Sequence, residues 1–483
     1  MSFGLYLLYV ALAYLRPIEA FAPELAEYRL MLILSLLTLV VSIGSSLARG
    51  AFAARPQHLR LLLGFVAAIM MSHIVAGRMG ISIESFVDFM PSVVLFIATV
   101  ANVTDLRRLR VTCALIAICT VILGMASVAA YHTGFLVDKL ALYEATGPES
   151  EVTPEPPPGT IPAQDSSGAF LWRVRSIGYF SDPNDFGQAI VVAFPLLLGF
   201  FQRGRLRRML EVGIGGAILL YTIYLTHSRG ALLGLASLFL TGARRVLGTV
   251  WTTLLLAGGI AAALAVDFTG GRAYTANEES AGGRIDAWSE GLSMLTSHPI
   301  FGVGHHLFTD FHDYTAHNSY VLCFAELGLV GYLFWLGLIV VALRDLGGAI
   351  LHAADAEAAR WANIVRSALI GWMTCAIFLS RTYEPLLYLV LGLCASAWYC
   401  ARRPRAMEPS PGPSTAPPGN VANAGSAPTA LAAADASAGG PPIAPGPSAI
   451  TPWFTLTLAL AFATIAAIYL IVLVKNATLG RSV

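Results

Sequence analysis

The sequence predicts an all-α fold, a polytopic transmembrane helix bundle of about 12 spans plus one C-terminal span. Of the 483 residues, 56% are hydrophobic and 12% are charged, and the mean hydropathy is +0.68. A soluble globular protein does not have this composition. Apolar runs of about 20 residues recur along the chain, which is the length that a helix needs to cross a bilayer. Barrel strands alternate apolar and polar residues over only about ten positions, so the runs exclude a membrane barrel.

The apolar runs give the expected spans in chain order. The first run has no basic residue before it and no small-residue cleavage site after it, so we expect a retained span and not a removed signal peptide. The eighth run is short enough to be re-entrant. The expected spans are 1–15, 29–48, 59–76, 84–101, 111–131, 185–202, 209–226, 230–243, 246–266, 317–343, 362–380, 386–401 and 451–474.

Basic residues set the expected orientation. With the N-terminus in the cytoplasm, more than half of the 30 Lys and Arg residues fall in cytoplasmic loops, as the positive-inside rule requires. The two long loops, 132–183 and 267–316, are then periplasmic. All six cysteines fall in expected helices, so we interpret them as core-packing residues. The net charge of +1 gives no indication of nucleic-acid binding.

The chain divides by composition into helical and polar segments. Residues 406–450 are rich in Pro, Ala and Gly, which predicts a disordered cytoplasmic linker. We expect the span that follows this linker to be peripheral to the active core. The expected segments are transmembrane helices at 1–131, 184–266 and 317–405, the two loops 132–183 and 267–316, the linker 406–450, and the final span with a short tail at 451–483.

Two arginines lie where the orientation bias disfavours a positive charge. Arg175 precedes Asp182, Pro183 and Asn184, a pattern typical of a helix start, and a guanidinium beside a helix N-terminus suits a phosphate or diphosphate. The alternative is that this pattern only caps the span. Arg229 stands at a bend between two spans, where a charge is costly unless it is paired or faces a wet cavity. An interfacial, snorkelling arginine is the alternative there.

The second long loop contains an amphipathic helix. Arg284 and Trp288 are four residues apart and therefore share one face of a helix, which Pro299 ends. We expect this helix to lie along the membrane interface with Trp288 as its anchor. Arg284, near the helix N-terminus, again favours an anion site.

A histidine opens the span after this loop. His317, followed by Asn318, lies at the mouth of the span, and a histidine can take a proton from a sugar hydroxyl near neutral pH. For any single loop histidine a solvated surface residue is the more common role, so position singles out His317. The spacing of His305, His306 and His312 matches no closed zinc site. No Walker A, Rossmann or HExxH motif is present.

Five motifs in this order resemble the bacterial O-antigen ligase and O-antigen polymerase superfamily. They are RSIGYFSDPND, THSRGALLGL, GGRIDAW, HPIFGVG and AHNSYVLCFAELGLVG, within residues 170–345. The resemblance implies an inner-membrane glycosyltransferase that takes a glycan from undecaprenyl diphosphate on the periplasmic side. It implies that Arg175, Arg229 and Arg284 hold the diphosphate and that His317 is the base, with Asn184, Trp288 and Asn318 in support. No cofactor, neither nucleotide nor metal, is expected.

The acceptor stays open at this point. A polymerase adds the glycan to another lipid-linked chain, for O-antigen or exopolysaccharide, with a chain-length regulator as a possible partner. A ligase adds the glycan to a lipid A core sugar of lipopolysaccharide, and related enzymes add it to protein. A transporter or flippase for lipid-linked oligosaccharides is the alternative outside enzymes, with the arginines binding a diphosphate in transit. Such transporters often show repeated halves, and none is seen here.

Overall fold

A computed structural model describes residues 2–47, 56–145, 155–157, 159–167, 169–242, 248, 279–353, 355–402 and 452–478. Over these residues the fold is an all-α polytopic bundle, as predicted. Nine of the described helices are long and apolar enough to cross a membrane, and three shorter apolar helices accompany them. The predicted span 246–266, apart from residue 248, and the predicted linker 406–450 lie outside the described residues.

The helices and strands are numbered in chain order. The first half contains α1 Ser2–Leu15, α2 Pro17–Phe21, α3 Leu30–Leu47, α4 Pro56–Val75, α5 Met79–Asn102, α6 Leu106–Thr133, α7 Val137–Leu140, β1 Ala141–Ala145, β2 Phe170–Val174, α8 Pro183–Leu198 and α9 Leu206–Thr226. The second half contains α10 Arg229–Gly242, α11 Glu279–Ser297, α12 Ser319–His352, α13 Ala356–Cys375, α14 Pro385–Arg402 and α15 Pro452–Thr478. Each predicted span within the described residues coincides with one of these helices.

The centre of the bundle is formed by α12 and α14. Buried residues make up 72% of the most apolar window of α12 and 78% of that of α14, but only 22% in α3, which identifies the central helices. α14 packs against α5 and α13, while α12 packs against α4 and α14. Trp335 of α12, Trp361 and Trp372 of α13 and Tyr388 of α14 are fully buried. Because large aromatic side chains bury the most apolar area, they dominate the packing of this core.

The first long loop contains a small sheet that the sequence did not predict. β1 and β2 pair in antiparallel register, with Ala141 opposite Val174. Tyr143 packs against Trp172 across the pair, with ring centroids 5.6 Å apart. Five-residue strands are too short for alternation to distinguish them from loop, so the pattern carried no signal. The sheet leads the chain into the start of α8.

The start of α8 follows the predicted pattern. Asp182 is the N-cap, and its side chain accepts a hydrogen bond from the backbone N–H of Asn184 at 2.7 Å. Pro183 is the first helical residue, where its missing N–H has no cost. The predicted role of the cysteines is also confirmed, because five of the six are buried and Cys400 is partly buried.

The final span lies at the edge of the described bundle. Buried residues make up only 22% of the most apolar window of α15, the same share as in α3. One face of α15 nevertheless packs against α12 and α11. This contact brings α15 to the helix of Arg284.

Candidate functional site

α12 is broken where the segment before His317 meets it. Gly328 has φ +62° and interrupts the helix. The freed backbone groups pair with the HPIFGVG segment: Val303 and Gly304 donate to Ala325 and Glu326 carbonyls, and Leu329 and Val330 donate to Pro299 and Ile300 carbonyls, all at 2.9–3.1 Å. A break inside an apolar helix is tolerated where neighbouring backbone satisfies it in this way. The break fixes the loop that carries the histidines onto the core helix.

Glycine is required at the crossing of these two segments. Gly302 has φ +68°, and a Cβ on it would collide with the carbonyl group of Glu326. A Cβ on Gly328 would collide with the carbonyl group of Ile300. Because both obstacles are backbone atoms, neither can move aside as a flexible side chain would.

Glu326 is buried at the break and is satisfied by hydrogen bonds. It is 2% exposed, and its carboxylate accepts from the hydroxyl of Tyr383 at 2.7 Å and from the backbone N–H of Phe308 at 3.2 Å. A carboxylate within an apolar run is rare unless it faces a cavity or a partner. A glutamate in an apolar run is thus a signal visible in the sequence, but Glu326 is not among the predicted site residues.

A polar cavity of about 470 Å³ opens beside the break. This volume is in the range of small-molecule sites. The ionisable side chains that line it come from α5, α11, α12 and the loops before α8, α12 and α14. Its polar lining includes Asp88, Tyr179, Asp182, Asn184, Arg284, His306, His317, Glu326, Arg381, Tyr383 and Glu384. The cavity thus brings together Arg284, His317 and Asn184, three of the residues that the sequence singled out.

His317 is held between two anchored segments. Ahead of it, the carbonyl of Ala316 accepts a 3.0 Å hydrogen bond from the indole N–H of Trp288. Behind it, Asn318 caps α12 by accepting from the backbone N–H groups of Tyr320 and Val321. His317 itself has φ +47°, a left-handed conformation uncommon outside glycine. This local strain, supported on both sides, directs the imidazole into the cavity wall.

The surroundings of His317 favour its neutral form. Burial is the main cause that lowers the pKa of His317 below its ordinary value of 6.5, and the positive charges of Arg284 and Arg381 add to it. The carboxylate of Asp182 opposes the shift. Because the lowered pKa leaves the ring unprotonated at neutral pH, His317 is able to accept a proton there.

The sequence predicted that Trp288 anchors α11 at the membrane interface, but Trp288 is buried in protein. It is 8% exposed and its indole N–H is bonded to Ala316. The helical face shared by Arg284 and Trp288 exists, but it points to protein. Helical spacing predicts which side chains share a face, but it does not predict whether that face contacts lipid, water or protein.

Arg381 lines the cavity, although it is not among the residues that the sequence singled out. Its guanidinium makes a two-pronged ion pair with Asp185 of α8, and it donates to Glu384 at 2.9 Å. Burial acts to lower the pKa of Arg381, but Asp185 and Glu384 outweigh it, and the pKa is raised. Asp185 lies 196 positions earlier in the chain, so local sequence gave no sign of the pair.

Arg175 and Arg229 are not among the described residues that line the cavity. The guanidinium of Arg175 donates to the backbone carbonyls of Asp138 at 3.0 Å and Ser181 at 3.4 Å. Arg229 is the first residue of α10. Its positive charge lies near Arg173. Burial is the main cause that lowers the pKa of Arg173, and the charge of Arg229 adds to it. The structure therefore does not gather the four predicted residues at one point.

Arg173 organises the wall behind the cavity. It is 6% exposed and donates to the carbonyl of Thr226 at 2.9 Å, to Glu144 at 2.7 Å and to the side-chain oxygen of Asn184 at 3.1 Å. One guanidinium thus links β1, the end of α9 and the start of α8. Asn184 faces the cavity from this fixed position.

The remaining loop histidines are distributed differently. His306 lines the cavity, His305 is 1% exposed behind it, and the ring of His312 contacts the backbone of Tyr314 in an exposed turn. Within the described ranges, no group of three or more His, Cys, Asp or Glu side chains is placed to hold a metal ion.

The fold and cavity define a multi-pass helical membrane protein with a polar, partly buried site at a broken helix. A family model described as O-antigen ligase matches residues 214–336, which include Arg229, Arg284, His317 and the break. The match confirms the resemblance to the O-antigen ligase and polymerase superfamily, and it supports membrane glycosyl transfer of that general type. No curated protein matches the sequence.

Proposed function

We propose that the protein transfers a glycan from undecaprenyl diphosphate to an acceptor hydroxyl at the periplasmic face of the bacterial inner membrane. The observation that carries the proposal is the shared cavity of His317 and Arg284, with their two segments joined by the bond from Trp288 to Ala316. A neutral base beside a cation is the pair that displacement of an anionic leaving group requires.

His317 accepts the proton of the acceptor hydroxyl in the proposed reaction. The oxygen attacks the anomeric carbon of the donor sugar, and a new glycosidic bond forms. The bond from that carbon to the diphosphate oxygen breaks, and its electron pair leaves with undecaprenyl diphosphate. Direct displacement of this kind inverts the anomeric configuration.

We assign the leaving group to Arg284. The cavity has mixed charge, but several of its carboxylates are engaged elsewhere: Glu326 by Tyr383, Glu384 by Arg381, and Asp182 by the backbone of α8. Arg284 lines the same cavity as His317, and its positive charge acts on the imidazole of His317. We therefore place the charge that develops on the diphosphate beside Arg284. Oriented charges at a developing anion are often the largest single contribution to catalysis.

The same cavity chemistry serves a polymerase and a ligase, which differ only in the acceptor. We favour a polymerase, because several kinds of glycan pathway use a polymerase, whereas ligation is restricted to lipopolysaccharide. The acceptor assays then use a second lipid-linked glycan and a lipid A core oligosaccharide in parallel. Transfer to the lipid A core alone would replace the polymerase assignment by ligase.

The test of glycosyl transfer uses the purified protein in proteoliposomes with labelled undecaprenyl diphosphate-linked glycan. We expect a new glycosidic bond and release of undecaprenyl diphosphate, and an Arg284→Ala variant should lose most of the rate. Movement of the labelled lipid between leaflets with no new bond would support a transporter and contradict the proposal. Wild-type transfer by Arg284→Ala would remove the assigned diphosphate contact.

A further inference from the structure

α15 presents one continuous stripe of side chains to the rest of the protein. The members of this stripe recur every three or four residues, so they lie on a single helical face. Four of them are buried although α15 is otherwise largely exposed. The buried members are Thr457, Ala461, Ile468 and Val472.

Two polar contacts extend the same stripe. The hydroxyl groups of Thr464 and Tyr332 are 2.6 Å apart, and Tyr332 belongs to α12. At the end of the stripe Lys475 donates to the carboxylate of Asp286 in α11 at 2.8 Å. These contacts fix both the rotation of α15 and its position along its axis.

α11 lies between this helix and the cavity. Arg284 lines the cavity, and Asp286 meets Lys475. Two residues along an α-helix are separated by about 200° of rotation, so the two side chains leave opposite sides of α11. A shift or rotation of α11 on the side of Asp286 would therefore carry the side chain of Arg284 with it.

We propose that α15 is a latch for α11, and that Lys475 is a positioning residue that holds Arg284 at the cavity. The inference rests on the proposed function, because it assigns a consequence to the placement of Arg284. It gives the final span a role in the reaction although none of its residues lines the described part of the cavity.

The expected size of the effect follows from exposure. The Lys475 side chain is 14% exposed and Asp286 is 49% exposed, so the ion pair is partly screened by solvent. Reversing one charge replaces an attraction by a repulsion. We expect Lys475→Glu to lower kcat/KM for the lipid-linked donor about tenfold, since both the lost pair and the new repulsion act on α11.

The experiment compares Lys475→Glu, Asp286→Lys and the double exchange in the full-length protein in proteoliposomes. Hydrogen–deuterium exchange of α11 reports its docking without relying on activity. Arg110→Glu is the matched control, because Arg110 and Glu357 form an interhelical ion pair of the same 2.8 Å length outside the cavity lining. We expect faster exchange in α11 and a higher donor KM for each single variant, with the acceptor KM unchanged and the double exchange restoring both readouts. Arg110→Glu should match the wild type.

Wild-type donor KM and wild-type exchange of α11 in the single variants would overturn the latch. Failure of the double exchange to restore both readouts would overturn the pairing. If a reversal prevents insertion, Lys475→Met takes its place, with faster exchange in α11 again expected and unchanged exchange again contradicting the latch. The proposed function fails separately, when the wild type forms no glycosidic bond.

Discussion

Trp288 donates its indole N–H to the carbonyl oxygen of Ala316 at 3.0 Å, and this bond fastens the helix of Arg284 to the residue before His317. Trp288 and Ala316 are both buried, so the bond is shielded from competing water. This bond between Trp288 and Ala316 therefore sets the relative positions of His317 and Arg284, although neither of these two residues takes part in it.

Removing that hydrogen bond should reduce both stability and activity. In Trp288→Phe the carbonyl of Ala316 loses its donor, at a cost of roughly 1–3 kcal/mol if it stays unsatisfied. We expect at least a tenfold loss of kcat/KM, because a small displacement of catalytic groups is costly. Trp172→Phe is the control, since Trp172 bonds Asp165 at 2.8 Å in the first long loop, and its transfer rate should be unchanged. Equal rates in the two variants would contradict the role of Trp288.

The pH profile should report the charges around His317. Because the pKa of His317 is lowered, the basic form is present above that pKa, and kcat/KM should rise with pH below neutrality and then level. Arg284→Gln removes a charge that lowers this pKa, so its acid limb should move to higher pH. Asp182→Asn removes a charge that raises it, so its limb should move to lower pH. Shifts in the same direction would contradict the assignment of the limb to His317.

The two crossing glycines should be intolerant of any side chain. Gly302→Ala and Gly328→Ala introduce a Cβ against backbone at positive φ, and each should lower the free energy of unfolding by roughly 1–3 kcal/mol or more. Gly347→Ala in the same helix meets nothing within 4 Å and should be neutral or slightly stabilising. Thermal unfolding in detergent measures all three, and wild-type stability of Gly302→Ala would refute the crossing.

The Arg381–Asp185 pair should behave as a coupled unit. Asp185 is 4% exposed and Arg381 is 29% exposed, so Arg381→Met leaves a buried carboxylate without its cation. We expect a loss of roughly 2–4 kcal/mol, discounted for the exposure of Arg381. Arg381→Met combined with Asp185→Asn should recover part of that loss in a double-mutant cycle. Additive losses would show that the two side chains act independently.

Hydropathy predicted the described spans well because desolvation acts on each run of residues separately. The run 84–101 became α5, and the run 111–131 became α6. The break in α12 was not predicted. Gly328 has several other glycines near it in sequence, and only its contact with Ile300 makes its backbone conformation special.

The candidate site was predictable only in part. Arg284 and His317 carry local signals, a helix face and a helix start, and they meet in the cavity. Arg381 depends on a carboxylate in a distant helix, and Arg175 is directed to backbone carbonyls of its own loop. Such placements arise from tertiary contacts, which no local pattern encodes.

In the proposed reaction His317 is the base for glycosyl transfer in this cavity. The most direct measurement is glycosidic-bond formation by His317→Ala, verified as folded and inserted, beside His312→Ala from the same loop. We expect His317→Ala to lose at least about a hundredfold in rate, the usual contribution of a general base, and His312→Ala to keep the wild-type rate. Wild-type transfer by His317→Ala would show that His317 is not the base.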